Sequence, residues 1–217
     1  MRPLSEELDL PGVAPSRQKR SRETTLALLK SGAEMLRRRS LAELSIEALC
    51  AEVGVTVGAF YSRFESKDAY FNALMALAAR DGERRVSEMA ADTGGRDAEF
   101  AARCHQLVGG IIAWMRAHEG VLRAALQHDD NKPDQWTPFK RLARANTERA
   151  TPLLLQALGK GRRAAKSRAI AFGFQVVLGT LVNAILNDPG PLSLHEKELE
   201  ERLGNLLRQL LEAETAS

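Results

Sequence analysis

The chain has 217 residues and a mass of 23.8 kDa, with 44% of its residues hydrophobic and 27% charged. That is enough to bury a real core, as one domain or as a small domain joined to a medium one. Aromatics make up only 5%, so the apolar mass is aliphatic, which favours helix over a β-sandwich. The net charge of +3 and pI near 9.0 name no partner by themselves. No run of about 18 residues is free of charged or repeated polar breaks, so no membrane span is expected. Met1–Arg22 lacks the apolar stretch of a secretory signal. Cys50 and Cys104 are too few for a disulfide scaffold and fit a reducing cytoplasm. Four histidines without a CxxC give no metal-binding pattern. Walker, G-x-S-x-G and G-x-G-x-x-G motifs are absent, so neither a metal nor a cofactor is expected.

Residues 1–20 carry Pro3, Pro11, Gly12 and Pro15 and show no periodicity, which predicts a flexible arm. The arm ends in Arg17, Lys19, Arg20 and, just beyond it, Arg22. These residues either enter a DNA minor groove or form a solvated tail. Between Ser16 and Ser40 eight basic residues stand against two acidic ones, a local +6, whereas Ser193–Ser217 holds three against six, a local −3. From Thr24 onward helical periodicity dominates. Leu28, Leu29, Met35 and Leu36 mark a first helix ending at Arg37, Arg38 and Arg39, which either lie near DNA or complement the helix dipole. Three further helices are predicted at 45–53, 56–63 and 66–89. Asp92-Thr93-Gly94-Gly95 then predicts a boundary between residues 21–91 and 92–217. Beyond it come helices near 97–118, 120–128, 134–158, 163–187 and 193–213, separated by Gly120, Pro133, Gly159/Gly161 and Asp188-Pro189-Gly190-Pro191. The fold class is all-α with about nine helices: a three-helix N-terminal domain and a larger C-terminal bundle.

The informative stretch is Ser45–Asp68, SIEALCAEVGVTVGAFYSRFESKD. Ser45 suits an N-cap, and Ile46, Leu49 and Val53 form one apolar stripe. Gly54 follows where a helix ends in the left-handed conformation. Val55 fills the turn, and Thr56 caps a short helix that carries Phe60 and Phe64 inward. This is the spacing of a helix-turn-helix, whose second helix enters the major groove. A plain αα-hairpin is the competing reading. Three features weigh against it. Gly58 sits inside the short helix, where a glycine serves close approach to another surface. Tyr61 and Arg63 flank the buried phenylalanines with their polar tips outward. Ser66-Lys67 opens the next helix with a hydroxyl and a cation placed to hold a phosphate.

These residues resemble the TetR-type transcriptional regulators, whose signature reads roughly T/S-x-x-x-I-A-x-x-A-G-V-S/T-x-G-x-x-Y-x-x-F-x-S-K-E. Ser45, Leu49, Cys50, Val53, Gly54, Val55, Thr56, Gly58, Phe60, Tyr61, Phe64, Ser66, Lys67 and Asp68 fall in register. The match spans about 45 residues if the first helix is included. The chain departs from the pattern at Ser40, where the family usually has Gly, and at Gly32 and Cys50, where it usually has Ala. Val57 stands where a polar residue is common. The recognition helix therefore starts apolar, and methyl contacts to thymine are expected to share its base readout. The resemblance implies binding to double-stranded DNA at a palindromic operator. Ser45, Thr56, Val57, Gly58, Ala59, Tyr61, Arg63 and Lys67 are the expected contacts, the last three as phosphate clamps.

The resemblance also implies that the C-terminal helices form a homodimer and enclose a pocket for a small-molecule effector. Independent support for the dimer comes from 164–187, apolar on nearly every side, and from the leucine stripe Leu199, Leu203, Leu206, Leu207, Leu210 and Leu211. Burial within one subunit is the alternative. Pocket candidates are Cys104, His105, Val108, Ile111, Trp114, Trp136, Phe139 and Gln175, most of which could equally be core. Cys104-His105 is a poor ligand pair for a metal because neighbouring residues on a helix point about 100° apart. The expectation is a cytoplasmic, dimeric DNA-binding repressor released by an effector, not an enzyme. An effector-independent regulator, or a helical enzyme or carrier with a structural hairpin, are the alternatives.

Overall fold

The structure is a computed structural model that describes residues 10–11, 13–14, 19–91, 100–127, 137–159 and 162–215. The expected boundary at Asp92–Gly95, the pocket candidate Trp136 and Arg17 of the arm lie outside these residues. Among the described residues there are eight α-helices and no strand: α1 Lys19–Leu36, α2 Ile46–Val53, α3 Val57–Tyr61, α4 Lys67–Ala91, α5 Phe100–Gln127, α6 Thr137–Ala157, α7 Arg163–Asn187 and α8 Lys197–Thr215. Helix α1 begins earlier than Thr24, so Lys19, Arg20 and Arg22 are helical residues.

The helices expected near 97–118 and 120–128 follow one another without a loop as α5, but His118 (φ −113°, ψ 15°) leaves helical geometry, so the expected break is present as a kink between two helical segments. The kink falls at His118, and Gly120 lies just inside the second segment. A Cβ at Gly120 would fall 2.5 Å from the backbone of Leu36 and Arg37, so its missing side chain serves close packing against the end of α1.

The chain divides into two compact units, residues 1–81 with 118–138 and residues 82–117 with 139–217. In the first, Leu28, Leu29, Leu36, Leu49, Phe60, Phe64 and Tyr70 are 0–1% exposed and form the core beneath the short helix α3. In the second, α8 packs against α7 and buries Leu199, Leu203, Leu207 and Leu211, one residue per turn. Contact is close where a Cβ at Gly173 would lie 2.6 Å from Leu207. The buried Lys166 ammonium donates to the carbonyls of Leu158 (2.9 Å) and Gly159 (3.2 Å), satisfying the orphan C-terminal acceptors of α6. Helix α7 reaches a mean hydropathy of 2.0 over 18 residues, enough by length and composition to cross a membrane, and 44% of that window is buried within the chain. Its outward face leaves Ala171, Phe172, Gln175, Gly179 and Asn183 exposed.

Candidate nucleic-acid interface

The reading head is built from three local devices. Ser45 caps α2 in extended geometry (φ −87°, ψ 131°), its Oγ accepting from the Ala48 N–H at 3.2 Å. Gly54 ends the helix at φ 73°, ψ 37°, a conformation that strains any residue with a Cβ, and the Val55 N–H reaches back to the Cys50 carbonyl at 2.9 Å. Thr56 (φ −81°, ψ 156°) caps α3, its Oγ1 accepting from the Ala59 N–H at 3.1 Å. The short α3 is too small to hold itself in place. It rests on an aromatic cluster in which Phe60, Phe64 and Tyr70 have ring centroids 4.9–5.2 Å apart, a range that favours edge-to-face and tilted packing. Tyr70 is locked there by donating to the Leu28 carbonyl at 2.7 Å, and burial pushes its hydroxyl well above the ordinary phenol range. A Cβ at Gly32 would fall on that hydroxyl, which explains the glycine where the family usually has alanine.

With Phe60 and Phe64 turned inward, α3 presents Thr56, Gly58, Tyr61 and Ser62 to solvent, with Val57 and Ala59 half-buried. Tyr61 is 53% exposed, one of few large apolar surfaces left open. A Cβ at Gly58 would meet only Thr56 Oγ1 at 3.8 Å. Internal packing therefore gives no reason for a glycine at this point. Lys67 opens α4 and donates to the Ala42 carbonyl at 3.2 Å, leaving two of its three N–H groups for a phosphate. Ser66 Oγ accepts from the Ala69 N–H at 3.0 Å, so this N-terminus is already capped.

Two expected contacts change character. Arg63 was placed outward as a phosphate clamp, but its guanidinium folds back. It donates to the Ala59 carbonyl, to Ser62 Oγ at 3.1 Å and to Ser21 Oγ at 3.2 Å, fastening the end of α3 to the first turn of α1. The Ser45 hydroxyl gives its proton to Glu47 at 2.7 Å, a bond that holds the Glu47 carboxyl below the usual range. It is not free to donate to a phosphate in this arrangement.

Sequence reasoning also missed a clasp from the N-terminal segment. Leu10 is 5% exposed, Val13 pairs antiparallel with Phe64, and the Ala14 N–H donates to the Arg63 carbonyl at 2.8 Å. Nothing periodic signals it, because the pairing partner lies about fifty residues away. The departure at Ser40 also finds its reason. Ser40 N–H and Oγ both donate to Glu43 at 2.9 Å while Glu43 N–H returns to Ser40 Oγ, a reciprocal cap for the turn after α1. Arg38 and Arg39, beyond the end of α1, line a surface cleft of about 180 Å³ with Glu43 and Arg123.

The pocket candidates scatter. Trp114 and Phe139 meet edge-on at 6.1 Å, and Val108 and Ile111 are buried on the same helix as Trp114. His105 instead turns toward α8, with Nε2 3.3 Å from Asn205 Oδ1. Cys104 is fully buried, and burial pushes its thiol up to about 12, a core thiol and not a nucleophile at neutral pH. Gln175 stands exposed on the outer face of α7, because the neighbouring Gly173 and Phe174 take the inward positions. No group of three or more metal-ligating side chains is formed among the described residues.

Residues 28–74 match the family model of bacterial regulatory proteins, tetR family. The structure is similar to a tetR-family transcriptional regulator from Streptomyces coelicolor (TM-score 0.66, 18% identity, 89% of this chain and 82% of that one). It is also similar to AmtR of Mycobacterium smegmatis (TM-score 0.55, 19% identity, 94% and 96%). A third likeness is to a gamma-butyrolactone receptor described as ArpA-like (TM-score 0.52, 20% identity, 90% and 100%). At these identities the solved structures establish the fold, and the family model establishes the N-terminal segment. No curated protein matches the sequence significantly. The all-α reading and the resemblance drawn from Ser45–Asp68 are both borne out.

Proposed function

We propose that this chain, a TetR-type regulator by its N-terminal segment and its fold, is a dimeric, sequence-specific DNA-binding repressor released by a small-molecule effector. The observation that carries the DNA-binding half is Gly58: exposed, helical, and with open space where its Cβ would be. A helix gains about 1 kcal/mol from alanine over glycine, so a glycine without an internal reason fits a surface that another backbone approaches closely. Around it Thr56, Val57 and Ala59 offer methyl groups to thymine, while Tyr61 and Lys67 flank them as phosphate contacts. Arg63 acts behind them as the brace of α3.

Support for the dimer comes from the apolar face left open on α7 and continued on α8, where Phe172 is 55% exposed and Leu206 39%. Two copies of this surface would close a four-helix interface, and a two-fold axis would supply the paired half-sites a short recognition helix needs. The effector would bind in the second unit, on the interior that holds Trp114 and Phe139. Helix α4, which contributes residues to both units, would carry the change to the reading heads. One solved relative is described as a gamma-butyrolactone receptor, which supports ligand response as a use of this fold. Operation in a bacterial cytoplasm follows from the same reading.

The test is a binding titration with operator DNA, comparing wild type with a Tyr61→Phe plus Lys67→Ala double variant of unchanged melting temperature. The expected result is a loss of roughly 10-fold or more and a salt slope shallower by about 1. Unchanged affinity and slope would remove the DNA-binding assignment.

A further inference from the structure

Among the described residues, the second unit buries two cations in different ways. Lys166, 5% exposed, donates to two carbonyls. Arg103, on α5 and 8% exposed, has its Nε enclosed with no hydrogen-bond partner and no carboxylate partner among the described residues. On α6 the amide Nδ2 of Asn146, 6% exposed, is enclosed and unpartnered in the same way. A buried donor without an acceptor is costly, and more so when it belongs to a cation.

The two donors face a common interior. On α5, Arg103, Leu107 and Trp114 recur at helical spacing and are all buried, so they share one stripe. On α6, Phe139, Asn146 and Ala150 do the same. The stripes meet where Trp114 packs edge-on against Phe139 at 6.1 Å. Gly82 on α4 touches both helices, since a Cβ there would lie 2.5 Å from Leu142 and 3.0 Å from Trp114. Further along α4, Ser87 Oγ accepts from Arg149 at 2.8 Å, so α4 and α6 run in the same direction. Along α5 the order reverses: Asp81 of α4 meets His118 at 3.0 Å and Gly82 meets the earlier Trp114, so α5 runs against both. Going from Trp114 back to Arg103 and from Phe139 on to Asn146 thus leads the same way. The two donors sit about 16 Å and about 10 Å from the aromatic contact along the helix axes, roughly one turn apart.

We infer that the effector is a small organic acid with an apolar body. Its carboxylate accepts from Arg103, a second acceptor oxygen takes the Asn146 amide, and its apolar part lies on Leu107, Trp114 and Phe139. The inference rests on reading the second unit as the effector-binding part and adds the ligand's chemical class. A neutral ligand would satisfy Asn146 but offer the Arg103 Nε–H only a neutral acceptor; an acid gives it a charge-assisted one and satisfies both.

The experiment is thermal unfolding of the purified full-length protein with decanoate and with 3-phenylpropionate, each against its methyl ester. At least one acid is expected to raise the melting temperature by several degrees, and its ester not to. Arg103→Met is expected to lose that shift yet unfold, without ligand, at the wild-type temperature or above, because it removes a buried donor that has no acceptor among the described residues. Asn146→Leu is expected to weaken binding several-fold, also without lowering the ligand-free melting temperature. A ligand-free Arg103→Met that melts several degrees lower would show a structural guanidinium and overturn the inference. So would esters that stabilise as well as acids, or no shift with either acid. The readout needs no DNA: an acid that binds through Arg103 but leaves operator affinity untouched upholds the site and removes the repressor mechanism instead.

Discussion

Gly58→Ala separates fold from function at a single atom. The added Cβ meets only Thr56 Oγ1 at 3.8 Å, an ordinary van der Waals contact, and the backbone there is already helical. Helix propensity alone favours alanine by about 0.5–1 kcal/mol, with the short five-residue α3 at the lower end. The same methyl would project from the exposed face of α3 into the space a DNA groove wall must occupy. Forcing a methyl into a close-packed contact costs about 1–3 kcal/mol, which corresponds to roughly 5- to 150-fold in affinity. Urea unfolding and fluorescence anisotropy with labelled operator read the two effects separately. The expected outcome is a protein equally or more stable that binds DNA at least about 5-fold more weakly. Gly32→Ala is the opposite case. Its Cβ would fall on the Tyr70 hydroxyl, so stability is expected to drop by about 1–3 kcal/mol. A Gly58→Ala protein with wild-type DNA affinity would refute the placement of this face in the groove, and a destabilised one would refute the reasoning from open space.

Other consequences follow from named contacts. Tyr70→Phe removes the hydrogen bond to the Leu28 carbonyl and is expected to cost about 1 kcal/mol in urea unfolding, with no change in the DNA affinity of the folded protein. Phe172→Glu, on the open face of α7, is expected to shift the protein toward monomer by analytical ultracentrifugation and to weaken binding to a full palindrome more than to a half-site. Cys104 is a raised-pKa thiol, neutral below its ordinary value of 9.0 and buried. It contributes stability that is complete below pH 9 and lost as pH rises toward about 12, so the loss of stability across that window is expected to be smaller in Cys104→Ser than in wild type. Below pH 9 the native thiol is expected to resist iodoacetamide until the protein is unfolded in urea.

The parts of this molecule that were legible in the sequence are those governed by neighbours within a few residues. Ser45, Gly54 and Thr56 announce their caps and turn because each acts on backbone two to four positions away. Phe60 and Phe64 announce the inward face of α3 by their spacing. What stayed hidden depends on partners distant in the chain. The Leu10–Ala14 clasp pairs with Arg63 and Phe64, and a Pro- and Gly-rich segment shows no period to reveal it. Arg63 looked like an outward cation until Ser21, from the first turn of α1, supplied an acceptor for it. Gly120 reads as a helix break by propensity; the break falls two residues earlier, as the kink at His118, and the glycine itself is explained by the α1 backbone packed where its side chain would be. Gln175 looked like a polar anchor in an apolar helix, and only the packing of Gly173 and Phe174 shows which way that helix is turned.

The central claim is that the exposed face of α3, backed by its aromatic cluster, reads a two-fold DNA site. Selection of bound sequences from random double-stranded DNA, run in parallel on wild type and on Gly58→Ala, tests it most directly. The expected result is enrichment of inverted half-sites with A·T pairs where Val57 and Ala59 would meet thymine methyls, and loss of that enrichment in the variant. No enriched inverted repeat, or the same repeat recovered equally by both proteins, would contradict the account.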